Sequence, residues 1–94
     1  MKVERADRDL SEAEVRALAA AERALLGEAS GGPIDFVSIE PAQWRDASLD
    51  WPEPGLAYAQ VITDGFRITA RAAGRLFECR VAGNNVRSRA IEGR

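Results

Sequence analysis

Hydrophobic and polar positions change period along this chain, from helical spacing at the start to strict alternation at the end. Val15, Leu18, Leu25 and Leu26 recur near helical spacing with Ala19 and Ala21 beside them, which predicts a helix with one apolar face. Its start is marked by Ser11 and Glu14, spaced as a capping box in which each side chain satisfies a backbone donor at the other position. Leu10 and Val15 are spaced as a hydrophobic staple, and Gly27 reads as the C-terminal stop. A Gly/Ser-rich turn at residues 28–33 lacks the lysine of a phosphate-binding loop. Residues 34–40 then alternate as a strand ending at Pro41.

Beyond Pro41 the pattern disappears until Tyr58, leaving a loop over residues 41–56. Loops of that length in a compact domain are usually functional unless their own side chains pack them down. From Tyr58 onward the alternation returns. Asp64 and Gly65 predict a two-residue hairpin turn between strands at residues 58–63 and 66–72. In the second of these, Phe66, Ile68 and Ala70 alternate with Arg67, Thr69 and Arg71, so one face meets a core and the other meets water. Ala73 and Gly74 predict a turn, residues 76–81 a strand, residues 83–85 a turn and residues 86–89 a last strand. The order defines an α+β fold: one N-terminal helix packed on an antiparallel meander sheet of about four strands.

Length adds that 94 residues make one domain with a single modest core. Residues 1–90 are assigned to that domain, because Ile91, Glu92, Gly93 and Arg94 spell a processing-protease site of the kind placed beside purification tags. No apolar run reaches the roughly 20 residues that span a bilayer, and residues 1–9 lack the apolar core of a signal peptide. A cytoplasmic location follows for the chain as written, and a periplasmic or secreted one if an export signal has been removed.

The absence of histidine and the single cysteine remove Ser/His and Cys/His nucleophilic catalysis and a tetrahedral zinc site from consideration. Cys79, between Phe77 and Val81 at alternating spacing, reads as a small core residue. Asp46, Asp50 and Glu53 cluster in the loop, but nothing in their spacing forces two carboxylates into a dry cleft or supplies the ligand spacing of a calcium loop. No enzyme activity, cofactor or metal is therefore expected, and Glu22 near the helix stripe reads as an edge residue with its head in water.

Charge divides the chain in two: through Glu53 it holds 6 basic and 12 acidic residues, and from Pro54 onward 7 basic and 3 acidic. The overall net charge of −2 lacks the strong basic excess of a nucleic-acid binder, so neither nucleic acid nor a membrane is an expected partner, and the arginines read as a solvated sheet face. Both tryptophans lie in the loop. Trp44 and Trp51 with Arg45, Pro52 and Pro54 are the candidate partner-binding residues, because tryptophan and arginine dominate binding hot spots and proline lowers the entropy lost on docking. Trp44, close behind a buried strand, also reads as core; for Trp51 the two readings balance.

Glu40, Pro41, Trp44, Asp46, Ser48, Leu49, Pro52, Pro54, Gly55, Tyr58, Gln60, Val61, Thr63, Gly65, Phe66, Arg67 and Ile68 carry a resemblance to an uncharacterised family of small bacterial domains. In that family a Trp/Pro loop precedes a glycine, aromatic, arginine, isoleucine hairpin. The resemblance implies a domain without assigned activity, in a family whose members are often secreted or lipid-anchored. Where the family usually reads leucine, glycine, cysteine, proline, this chain has Leu49, Asp50, Trp51 and Pro52, and the histidine often found near Glu78, Cys79 and Arg80 is absent. In element order the chain is also similar to PepSY domains, which implies a peptidase as partner. The leading expectation is a noncatalytic protein-binding module of unknown partner, in its narrower form one that restrains a peptidase. The alternative is a structural domain that forms a homodimer through an edge strand at residues 86–89.

Overall fold

The computed structural model describes residues 10–92, so the charged start at residues 1–9 and Gly93 and Arg94 lie outside the described residues. One helix, α1 (Glu12–Ala29), precedes four strands: β1 (Ile34–Trp44), β2 (Thr63–Ala72), β3 (Arg75–Ala82) and β4 (Asn85–Glu92). The strands form a single antiparallel sheet in the order β1-β2-β3-β4. This is the expected α+β meander with a helix on one face.

The capping box forms as read: Ser11 N–H donates to Glu14 Oε1 at 2.8 Å and Glu14 N–H donates to Ser11 Oγ at 3.0 Å. The buried positions of α1 are Ala17, Leu18, Ala21, Leu25 and Ala29, spaced at three and four residues, so one stripe meets the sheet. Burial of Leu18 and Leu25 stabilises the fold by about 1.5–3 kcal/mol each. Val15 and Leu26 were expected on that stripe; both lie on the flank and are exposed, while Leu10 packs on the core. Gly27 does not end the helix. Its position is interior: α1 continues two residues further to the buried Ala29, and the turn at Ser30 and Gly31, both in the left-handed region, closes it. Packing overrides the cost of about 1 kcal/mol for glycine inside a helix.

β1 likewise runs past its expected end: it is an edge strand, where proline is tolerated, and Pro41 lies within it opposite Phe66. Trp44 is thus the last residue of a strand and not part of the loop. The largest departure concerns Asp64 and Gly65, which are not a hairpin turn. Both lie inside β2, opposite Gln43 and Ala42 of β1. A tight turn there would fold residues 58–63 into the place that β1 or β3 occupies on either side of β2, and residues 58–62 are accordingly unpaired with any strand. The last turn is also shorter than expected: Asn85 opens β4, which continues through Ile91 and Glu92.

Alternation gives the sheet two faces. Ile39, Ile68, Ala70, Ala72, Phe77, Cys79 and Val81 pack beneath α1 as the main core. Trp44, Leu49 and Ala82 form a second, smaller cluster on the opposite face, and the loop at residues 45–62 covers it.

Candidate functional site

The loop is fixed to the sheet by side chains that β3 and β4 send to the face away from α1. Trp44 lies across this face from β1, and its indole N–H donates to the Val81 carbonyl of β3 at 3.1 Å. The ring passes directly over Gly65, where a Cβ would overlap the Val81 carbonyl and approach Trp44 Nε1 to 3.0 Å. Glycine is required in β2 for this close approach and not for a turn. At 1% exposure Trp44 is buried with its only donor satisfied, so it does not present itself to a partner.

Arg80, one row along β3, is the centre of the site. Its Nη1 donates to the Leu49 carbonyl at 2.8 Å and its Nε to Glu78 Oε2 at 2.8 Å. The guanidinium lies 3.8 Å from the Trp51 ring centroid and 5.3 Å from that of Trp44. Arg89 of β4 stacks on Trp51 at 4.5 Å, and Arg87 Nη2 pairs with Glu53 Oε2 at 2.9 Å. Asn85 Nδ2 donates to the Ala47 carbonyl at 2.8 Å. On the far side of Trp44, Arg67 meets Glu78 at 3.2 Å and Glu40 at 3.7 Å. A charged hydrogen bond contributes about 1.5–3 kcal/mol, and a partly desolvated cation over an aromatic ring up to about 2 kcal/mol. The Arg67–Glu40 pair, exposed on both partners, contributes about 0–1 kcal/mol. Arg80 therefore outweighs the peripheral ion pairs as the residue that holds the loop.

Within the loop, Ser48 N–H and Oγ–H both donate to Asp46 Oδ1, at 2.9 and 2.5 Å, and these bonds hold the Asp46 carboxyl below its ordinary value of 3.8. Leu49 and Asp50 follow in the left-handed region, with φ of 56° and 64°. Two such residues in succession cost about 1 kcal/mol or more each. They are held there because Leu49 is buried on Trp44 and its carbonyl is taken by Arg80. Glu53 N–H donates to Tyr58 Oη at 3.1 Å, and the Tyr58 hydroxyl, followed in effect by Glu53, raises the Arg87 pKa.

The five candidate residues thus separate. Trp44 is core, Trp51 is half-buried between loop and sheet, and Arg45, Pro52 and Pro54 are exposed on the loop's outer side with Leu56. Arg80, Arg87, Arg89 and Asn85 are the residues that sequence reasoning missed: the arginines were expected on a solvated face and Asn85 in a turn. The available signal was their alternation on two successive strands after a loop carrying two tryptophans.

Of the carboxylates on this side, Asp46 accepts from Ser48, Glu53 pairs with Arg87, and Glu78 pairs with Arg67 and Arg80. Among the described residues no group of three or more His, Cys, Asp or Glu is placed to hold a metal ion. Cys79 lies under α1, where burial, and secondarily Glu78, push its pKa up to about 12, so it is a neutral thiol. A groove of about 780 Å³ separates α1 at Ala13, Ala20 and Ala24 from Phe66 and Val86 of the sheet, with Arg16 and Arg23 on its rim.

Fold and site together define a small helix-on-sheet domain whose second face carries a pinned, tryptophan-containing loop. The family model described as a domain of unknown function, DUF8738, matches residues 14–89, from the first turn of α1 to β4, and the chain belongs to that family. No curated protein and no solved structure matches the chain.

Proposed function

We propose that this chain is a noncatalytic protein-binding module whose contact surface is the outer side of the 45–62 loop. The observation that carries the reading is the asymmetry of that loop. Its inner side is fixed by Arg80, Arg87, Arg89 and Asn85, while Arg45, Pro52, Pro54 and Leu56, the last 59% exposed, face outward. A loop without helix or strand that is held this firmly loses little conformational entropy on docking, and proline lowers that loss further. Trp51 supports the surface from below and is not itself its apex.

The narrower form of the reading is a bacterial domain that restrains a peptidase, and it rests on the element order in common with PepSY domains. The test is capture of a partner by the intact chain and by Leu56→Ser in parallel, followed by calorimetric titration of the captured protein. An affinity at least about ten-fold weaker for Leu56→Ser, with unchanged circular dichroism, supports the reading. Equal affinity for both chains sinks it. For the narrower form, the captured protein must hydrolyse peptide bonds and slow when the intact chain is added.

A further inference from the structure

The chain between the braced loop and β2 has the composition of a strand and no strand to pair with. Residues 57–62 contain no charge, proline or glycine and include Tyr58, Val61 and Ile62. They are extended in sequence with β2, which meets β1 from Thr63 but meets β3 only from Phe66. β3 ends at Ala82 and turns into β4, so ahead of Phe66 no described strand lies on the β3 side. The Ala59 carbonyl accepts from Ala47 N–H at 3.0 Å, the one backbone–backbone hydrogen bond that residues 57–62 make among the described residues. The Val61 carbonyl is satisfied locally by the Thr63 hydroxyl at 3.3 Å. Drawn out as a strand that continues β2, the segment would turn the backbone groups of Tyr58, Gln60 and Ile62 to the side opposite those of Ala59 and Val61, toward the open edge, because successive residues alternate. Val61 and Ile62 are 60% and 66% exposed, the two highest values among the large apolar side chains of the described residues.

We propose that residues 57–62 pair with the same segment of a second copy of this chain, as antiparallel strands related by a two-fold axis at Gln60. The occupant follows from what each free edge would set against itself. A two-fold register centred on Gln60 places Tyr58 opposite Ile62 and Ala59 opposite Val61 of the other copy, an aromatic against a β-branched residue and no charge against charge. At the β4 edge the three registers that pair most of the strand with itself meet like charge: one centred on Ser88 sets Arg87 opposite Arg89, and one centred on either arginine sets it opposite its own copy. The β1 edge carries Pro41 and a bulge between Phe36 and Ser38, both of which obstruct strand addition. Of the open edges, only the 57–62 segment is free of like charge and of proline. The homodimer expected at residues 86–89 is thereby moved to a different edge.

Gln60 allows a test that leaves the fold intact, since it is exposed and the bond from Ala47 N–H to the Ala59 carbonyl does not use it. Sedimentation equilibrium of the intact chain, from micromolar to near-millimolar concentration, is expected to rise from the 10.2 kDa monomer toward twice that mass. Gln60→Pro removes a donor at the centre of the pairing and is expected to stay monomeric with unchanged circular dichroism. Gln60→Lys and Gln60→Glu each set like charges on the axis and are expected to associate about ten-fold more weakly, whereas an equimolar mixture recovers association. A monomer at every concentration, a dimer that survives Gln60→Pro, or charge variants that show no recovery on mixing each overturn the proposal. The Leu56→Ser titration addresses the loop's outer side independently, so this proposal and the partner-binding reading fail separately.

Discussion

The two faces of the sheet are held by different chemistry. Under α1, Leu18, Leu25, Ile39, Ile68 and Cys79 are fully buried, and cohesion comes from apolar area removed from water. On the opposite face one indole, Trp44, provides the apolar centre, and the cover is a loop held by an arginine stacked between two tryptophan rings and bonded to a loop carbonyl. The first arrangement is non-directional and tolerates exchange of similar hydrophobes. The second depends on individual donors and acceptors, so removing one of them leaves a specific group unsatisfied. A small chain with room for only one apolar core thus builds a second layer from directional contacts, and that layer is the one with an outer surface to offer.

The comparison breaks first at Trp44. Trp44→Ala is expected to destabilise the chain by about 3–5 kcal/mol in chemical denaturation. Trp44→Phe, which keeps an aromatic ring but removes the donor to the Val81 carbonyl, is expected to cost about 1 kcal/mol. If the phenylalanine variant matched the parent, apolar burial alone would account for both faces.

The dryness of the α1 face is sharpened by Cys79. Its folded-state pKa is raised from 9.0 to about 12, so the folded chain retains a proton that the unfolded chain releases across that interval. The stability this group contributes is complete below pH 9 and is lost as pH rises toward about 12. Denaturation midpoints of the parent and Cys79→Ala, compared from pH 8 upward, should differ in slope over that window, with the parent falling more steeply. Parallel slopes would mean that water reaches the thiol.

The smallest effects come from backbone positions, one on each side. Gly27 is interior to α1 with no atom near its missing Cβ, so Gly27→Ala is expected to stabilise by about 0.5–1 kcal/mol. Asp50, with φ of 64°, occupies a conformation that glycine adopts without strain, and Asp50→Gly is expected to stabilise the loop side by a few tenths of a kcal/mol to about 1 kcal/mol in thermal unfolding.

The helix cap at Ser11, the alternation of β2 and β3 and the core position of Cys79 were legible because each is written in neighbouring residues. What could not be read depends on who lies next to whom in the sheet. Asp64 and Gly65 have the composition of a hairpin turn, yet β1 and β3 occupy both sides of β2, and Gly65 serves the Trp44 ring from another strand. Gly27 carries a stop signal that the packing of Ala29 outweighs. The loop tryptophans were singled out, but their arginine supports come from β3 and β4, Arg80 lying 29 and Arg89 38 residues beyond Trp51, where sequence alone presents them as a solvated row.

The central claim is that Arg80 holds the loop to the sheet independently of the main core. Amide hydrogen exchange of the parent and Arg80→Met tests it directly. The Ala47 and Trp51 amides, which donate to Ala59 and Ser48 carbonyls, are expected to lose protection by about ten-fold or more in the variant, while β2 and β3 amides beneath α1 keep theirs. Equal protection of the loop in both chains, or a uniform loss across loop and core together, would contradict the account.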